Sequence, residues 1–225
     1  ITASLSNMNT LLKQWVGETH WLDMAYVSDD GIQLSLSLVS NCIKTLDLVP
    51  PPPPTASVPD HLPKLTDKTL VTVANNCSSL GCLRVASGNT DIGFTRVGLY
   101  ALLDSTTGLM STLVHLELWS CSGLSDQDMY VLAVRNPPNL QLLLLSGMQN
   151  VGHVGYMHLA SLPRVKKLGI VDSRGMEESD AVRFAHLDML VLCRSDFGKD
   201  IRAYEKASYT KWLDRCTPVS NVFDV

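Results

Sequence analysis

Residues 113–145 read LVHLELWSCSGLSDQDMYVLAVRNPPNLQLLLL. Leucines at 113, 116 and 118 open the stretch, Cys121 follows, and a second leucine set closes it at 140, 143 and 145. Alternate side chains of an extended segment face opposite sides. A strand over Leu116-Glu117-Leu118 therefore turns Leu116 and Leu118 inward and His115, Glu117 and Trp119 outward. Where the chain leaves that strand its backbone N–H groups need acceptors, and the small Cys121 fits the slot. Ser125 offers a hydroxyl at a helix start, and Asp126 and Asp128 suit the positive helix end. Met129, Leu132 and Ala133 recur at helical spacing, giving a face that packs back on the strand. Asn136-Pro137-Pro138 stops the helix. One such unit cannot bury its apolar face alone, so others must flank it.

Those flanking units are legible. Trp21-Leu22-Asp23-Met24 reads as a first strand and Val27 to Ile32 as a helix start running toward Cys42. Leu46-Asp47-Leu48 is the next strand, and Leu65 to Leu70 the closest second copy of the helix start. Leu80-x-x-Leu83-x-Val85 is the third strand, with a helix expected over Asp91 to Leu103. Thr106-Thr107-Gly108 marks a lengthened loop. Val151-Gly152-His153 lacks a capping side chain before a helix over Val154 to Ala160. Strands follow at Val165 to Ile170 and Leu187 to Leu192. Leucines at 22, 46, 83, 116, 143, 168 and 190 mark the strands, at intervals of 24, 37, 33, 27, 25 and 22 residues. The last three fall in the roughly 20–29 residue period of a leucine-rich repeat.

The spacing Leu-x-x-Leu-x-Leu-x-x-Cys at 113–121 resembles a leucine-rich repeat of the cysteine-containing kind found in F-box and ribonuclease-inhibitor-like proteins. The resemblance spans Trp21 to Leu192. It implies an α/β solenoid with a parallel sheet on the concave side and helices on the convex side. The Trp-containing entry and the strand Leu116 to Cys121 are also similar to the small mitochondrial leucine-rich-repeat proteins related to ATP synthase factor B. On this reading residues 1–225 form a single domain. Residues 1–20 are a helical cap, 49–64 a proline-rich loop insertion, and 194–225 a C-terminal cap and tail, with helices expected over Ser6 to Val16 and Lys199 to Arg215. The run Pro50 to Pro54 suits extended polyproline II, either as a tolerated insertion or as a docking site for a proline-recognition domain.

Composition narrows the function classes. The chain has 225 residues, 45% hydrophobic, with a formal charge of −4 and no basic stripe, which disfavours binding to nucleic-acid phosphates. No apolar run reaches the roughly 20 residues that span a bilayer. The six cysteines are read as free, mostly buried thiols in a reducing, intracellular compartment, mitochondrial or cytoplasmic. A chain opening at Ile1 is expected to be a fragment or a processed protein, which leaves a removed targeting segment open.

No phosphate-binding, H-E-x-x-H or G-x-S-x-G motif occurs. His153 and His158 are five apart, on different helix faces, and Cys77 and Cys82 lack a second pair to complete a zinc site. Cys193 is a candidate thiol without a neighbouring base. Glu177, Glu178 and Asp180 read as a solvated helix start. No catalytic residue, cofactor or metal is expected. The outer strand positions instead suggest a protein-binding face: Trp21, Asp47, Arg84, His115, Glu117, Trp119, Leu142, Leu144, Lys167, Val171, Met189 and Val191. From Trp119 onward the row is mostly apolar, as a contact surface would be. Either a partner or the tail, through Tyr209, Trp212, Val222 and Phe223, covers it. Two functions follow. The first is a non-catalytic interaction module, a structural or assembly subunit of a larger complex such as a mitochondrial one. The second is the substrate-recognition domain of an F-box ubiquitin ligase lacking its F-box.

Overall fold

The structure, a computed structural model, describes residues 21–24, 27–39, 43–49, 65–87, 93–171, 176 and 178–193. It is an α/β arrangement around one all-parallel sheet. Seven strands, β1 (Trp21–Asp23), β2 (Thr45–Leu48), β3 (Cys82–Ala86), β4 (His115–Trp119), β5 (Leu142–Ser146), β6 (Lys167–Val171) and β7 (Met189–Cys193), lie side by side in chain order. Between them run α1 (Asp29–Val39), α2 (Asp67–Asn76), α3 (Arg96–Leu102), the short α4 (Leu109–Thr112), α5 (Asp126–Arg135), α6 (His153–Leu159) and a 3-10 helix (Glu178–Phe184). Parallel neighbours need such a crossover between them.

Register matches the spacing of the leucine markers. Leu22 pairs with Leu46, Leu46 with Leu83, and the row continues through Leu116, Leu143, Leu168 and Leu190. A slip of one residue would turn every leucine to the other side. Leu116, Leu118, Leu143, Leu145, Leu168 and Ile170 join Ile32, Leu70, Leu99, Met129, Leu132 and Tyr156 in one core cluster. Full burial of each leucine contributes roughly 2 kcal/mol, so the shared core is the main attraction between strands and helices.

The helix starts are built as their residues dictate. Thr66 and Thr95 hold extended backbone and accept from Lys68 and Val97 N–H. At α5, Asp128 accepts from both the Ser125 N–H (2.8 Å) and the Ser125 hydroxyl (2.7 Å), closing a capping box. Asn136 ends α5 in the left-handed region (φ 45°), with Pro137 beyond it. Cys121 is buried, its thiol donating to the Trp119 carbonyl at 3.4 Å, and burial pushes it up to about 12 against the pull of the Ser87 and Trp119 backbone.

The loop read at Thr106-Thr107-Gly108 is present, and a helical turn, α4, follows it, entered through Gly108 at φ 78°. Two readings need correction. The helix expected over Asp91 to Leu103 is shorter, Arg96–Leu102, because Thr95 takes the capping role and Phe94 before it turns into the core. Asp180 is not simply solvated: its carboxylate lies 3.1 Å from His153 Nδ1 and its side chain is mostly covered. The expected cap over 1–20, the proline run, Cys42, and the tail with its Lys199 to Arg215 helix lie outside the described residues.

Candidate functional site

On the side of the sheet away from the leucine core, the middle residues of successive strands form one row. Asp47, Arg84, Glu117, Leu144 and Gly169 are register partners in turn, with Asp23 and Val191 at its ends. His115, Leu142 and Lys167 make a second row, and Trp119 and Val171 stand in a third. Register therefore brings the expected residues to one face. Trp21, Met189 and Val191 hold matching strand positions, and their side chains lie outside the described residues.

The face has two halves of different chemistry. Over β2 to β4 it is charged. Arg84 Nη1 pairs with Asp47 Oδ2, and Arg84 Nε with Glu117 Oε2 at 3.0 Å. His115 Nε2 sits 2.6 Å from Glu117 Oε1, and the Trp119 indole N–H donates to Glu117 Oε2 at 3.0 Å. The Val49 N–H donates to Asp47 Oδ1 at 3.0 Å. The Glu117 side chain is fully buried among these groups. Burial acts to raise its carboxyl, but the His115 hydrogen bond and the Arg84 charge outweigh it and hold the group below the ordinary glutamate range. The carboxylate thus ties Arg84 of β3 to His115 and Trp119 of β4 across this face.

Over β5 and β6 the face is apolar, but less exposed than expected. Leu144 is only 1% exposed, although it lies outside the core cluster. The reason is Gly169: a Cβ there would sit 2.3 Å from Leu144 Cδ1, so the missing side chain leaves the seat into which Leu144 folds. Glycine inside a strand signals such a close approach, and Leu168-Gly169-Ile170 carried that signal. Among the described side chains of β5 and β6 on this face, the accessible apolar surface is that of the half-buried Leu142 and Val171, beside the exposed Lys167.

Cys82 flanks the charged half, and burial first, then the Glu117 charge, pushes its thiol up to about 12. Cys77, Cys82 and Cys121 are all free. His158 stacks edge-on against Tyr130, ring centroids 5.0 Å apart, while His153 reaches Asp180, so the two histidines go separate ways. Among the described residues no three His, Cys, Asp or Glu side chains are placed to share a metal, and no helix is long and apolar enough to cross a membrane. Comparison with known family models and with curated proteins gives no match for this chain.

Proposed function

We propose that the chain is a leucine-rich-repeat solenoid of the cysteine-containing type that works as a non-catalytic protein-interaction module, a structural or assembly subunit of a larger complex. The observation that carries this reading is the unbroken leucine register across seven parallel strands, which aligns one long outer face. That face carries an anchored charged half and an apolar half with Leu142, Val171 and Lys167 accessible. A protein partner with an apolar segment beside acidic groups complements it, since interface centres are apolar and their rims polar. A mitochondrial assembly is the first setting to examine.

The test is affinity purification at native expression of the wild type, Lys167→Glu with Val171→Asp, and Val134→Asp on the helix side. A stoichiometric partner retained by the wild type and Val134→Asp, and lost by the outer-face variant, is the expected result. No stable partner, or loss from Val134→Asp alone, overturns the reading.

A further inference from the structure

The helix layer carries a face that the leucine core does not explain. Every exposed residue of α3, α5 and α6 is a valine, tyrosine, arginine, glutamine or histidine. Val97, Val134 and Val154 are 58%, 62% and 56% exposed, and Tyr130 is 44% exposed. Side chains left that open bury little of their area within this chain, where a solvated helix face would carry charged residues of both signs. The α1–α2 end follows that rule, with exposed Asp30 paired to Lys68.

The acids of the layer are turned inward, where they tie successive helix starts together. Asp29, first in α1, accepts from Thr66 N–H at 3.1 Å, and Asp67, first in α2, from Thr95 N–H at 2.7 Å and Gly98 N–H at 3.1 Å. Asp126, first in α5, accepts from Gly152 N–H at 2.6 Å. Buried Asp128 takes the Ser125 N–H and hydroxyl, and the Tyr100 hydroxyl donates to it across from α3. Thr95 before α3 bridges to Gly123 before α5, and the Tyr130 ring of α5 meets His158 of α6 edge-on. The face is therefore built in advance, and docking on it needs little ordering of this chain.

Its charge is one-sided. Neither carboxylate on these three helices, Asp126 or Asp128, is exposed. Asp104, just past α3, turns to the Thr106 N–H and hydroxyl at 2.9 and 2.8 Å. Arg96 and Arg135 are exposed and, among the described residues, stand in no ion pair. A chain of net charge −4 thus shows an apolar surface whose unpaired charges are cationic.

That charge selects the occupant. A second copy of this chain laid on the same face would set arginine against arginine, and two permanent cations are too few to hold an anionic lipid surface. We infer that the α3–α5–α6 face is a second docking surface, for a protein segment with an apolar helical stripe flanked by carboxylates that meet Arg96 and Arg135. Tyrosine and arginine are the residues enriched where such contacts carry affinity. Packed helices lie roughly 10 Å apart, so a stripe across three of them spans about 20 Å, or about 14 helical residues. The surface is separate from the outer sheet face and stands whether or not that face holds a partner.

Photocross-linking of the full chain at native expression, with p-benzoylphenylalanine in place of Tyr130, tests it. Mass spectrometry of the adduct should identify an acidic, amphipathic segment of another protein. Arg96→Glu with Arg135→Glu should cut that adduct about tenfold, while Arg96→Lys with Arg135→Lys should keep most of it. Both arginines are exposed, so these variants should keep the wild-type circular dichroism. Lys167→Glu with Val171→Asp, on the sheet face, should leave the adduct unchanged. An adduct to residues 194–225 of the same chain, to a second copy or to lipid overturns the inference. So does the absence of any adduct, or one that survives the charge reversal in a folded variant.

Discussion

Glu117 is the residue whose surroundings say most. Its depressed carboxyl contributes stability that is present above the unfolded glutamate value, about 4.3, and lost as pH falls through the lower folded value. Stability should therefore decline below about pH 4, and this part of the decline should vanish in Glu117→Gln. That variant should also cost about 2 kcal/mol at pH 7, less than a fully orphaned buried pair because Arg84 keeps Asp47. Urea midpoints at pH 7, 4 and 3 for both proteins measure it, and parallel curves would refute it. Leu144→Asp, which a purely solvent-facing strand position would tolerate, should instead destabilise: the side chain is covered, and its register partner is Glu117. A loss of about 2–3 kcal/mol is expected by denaturant titration. The alternation of β4 pointed Glu117 outward correctly. Its burial was not legible, because outwardness in a strand says nothing about how far Arg84, His115 and Trp119 close over a short neighbour. The one cue was their spacing, since residues two apart share a strand face.

At the scale of elements, Asp126, opening α5, was readable as a helix-dipole partner, and Asp29 and Asp67 as members of helix starts. Their second task, capping the following helix, was not, since it depends on how closely successive helices approach. Asp67→Ala and Asp126→Ala should each cost about 1 kcal/mol, whereas Arg96→Ala, which caps nothing, should stay within about 0.5 kcal/mol of the wild type. Equal losses at all three in urea unfolding would remove the distinction. The glycines separate in the same way. Gly155→Ala places a Cβ 2.9 Å from the Asp126 Cα and should cost about 2 kcal/mol. Gly152→Ser meets only ordinary contacts, 3.5 Å from Asp126 Oδ2, and should be neutral or stabilising by up to about 0.5 kcal/mol. The missing cap at Gly152 was visible in the sequence. Its replacement from 26 residues upstream was not, for no local pattern encodes it.

For the whole molecule, strand order and register followed from seven leucine markers, because a period-two side-chain pattern tolerates no slip once one face is buried. Helix lengths and the turn after Gly108 followed less well, since they depend on capping and on how a longer loop finds room. Core position sets the final prediction. Leu145 lies on β5 with packed strands on both sides, while Leu190 lies on β7, the last strand among the described residues. Leu145→Ala should cost about 3–4 kcal/mol and Leu190→Ala about half that, because an end strand can relax toward the lost methyl groups. Thermal or urea unfolding of both variants decides the point, and equal costs would argue against independent relaxation at the end.

Among the described residues, each strand of this sheet pairs only with its neighbours in chain order. Nothing near the start of the described chain waits for a distant segment to arrive before it can be paired. During synthesis, the units through Trp119 can assemble on the ribosome while β5 to β7 are still unmade. The order in which the chain is written is also the order in which it can be built.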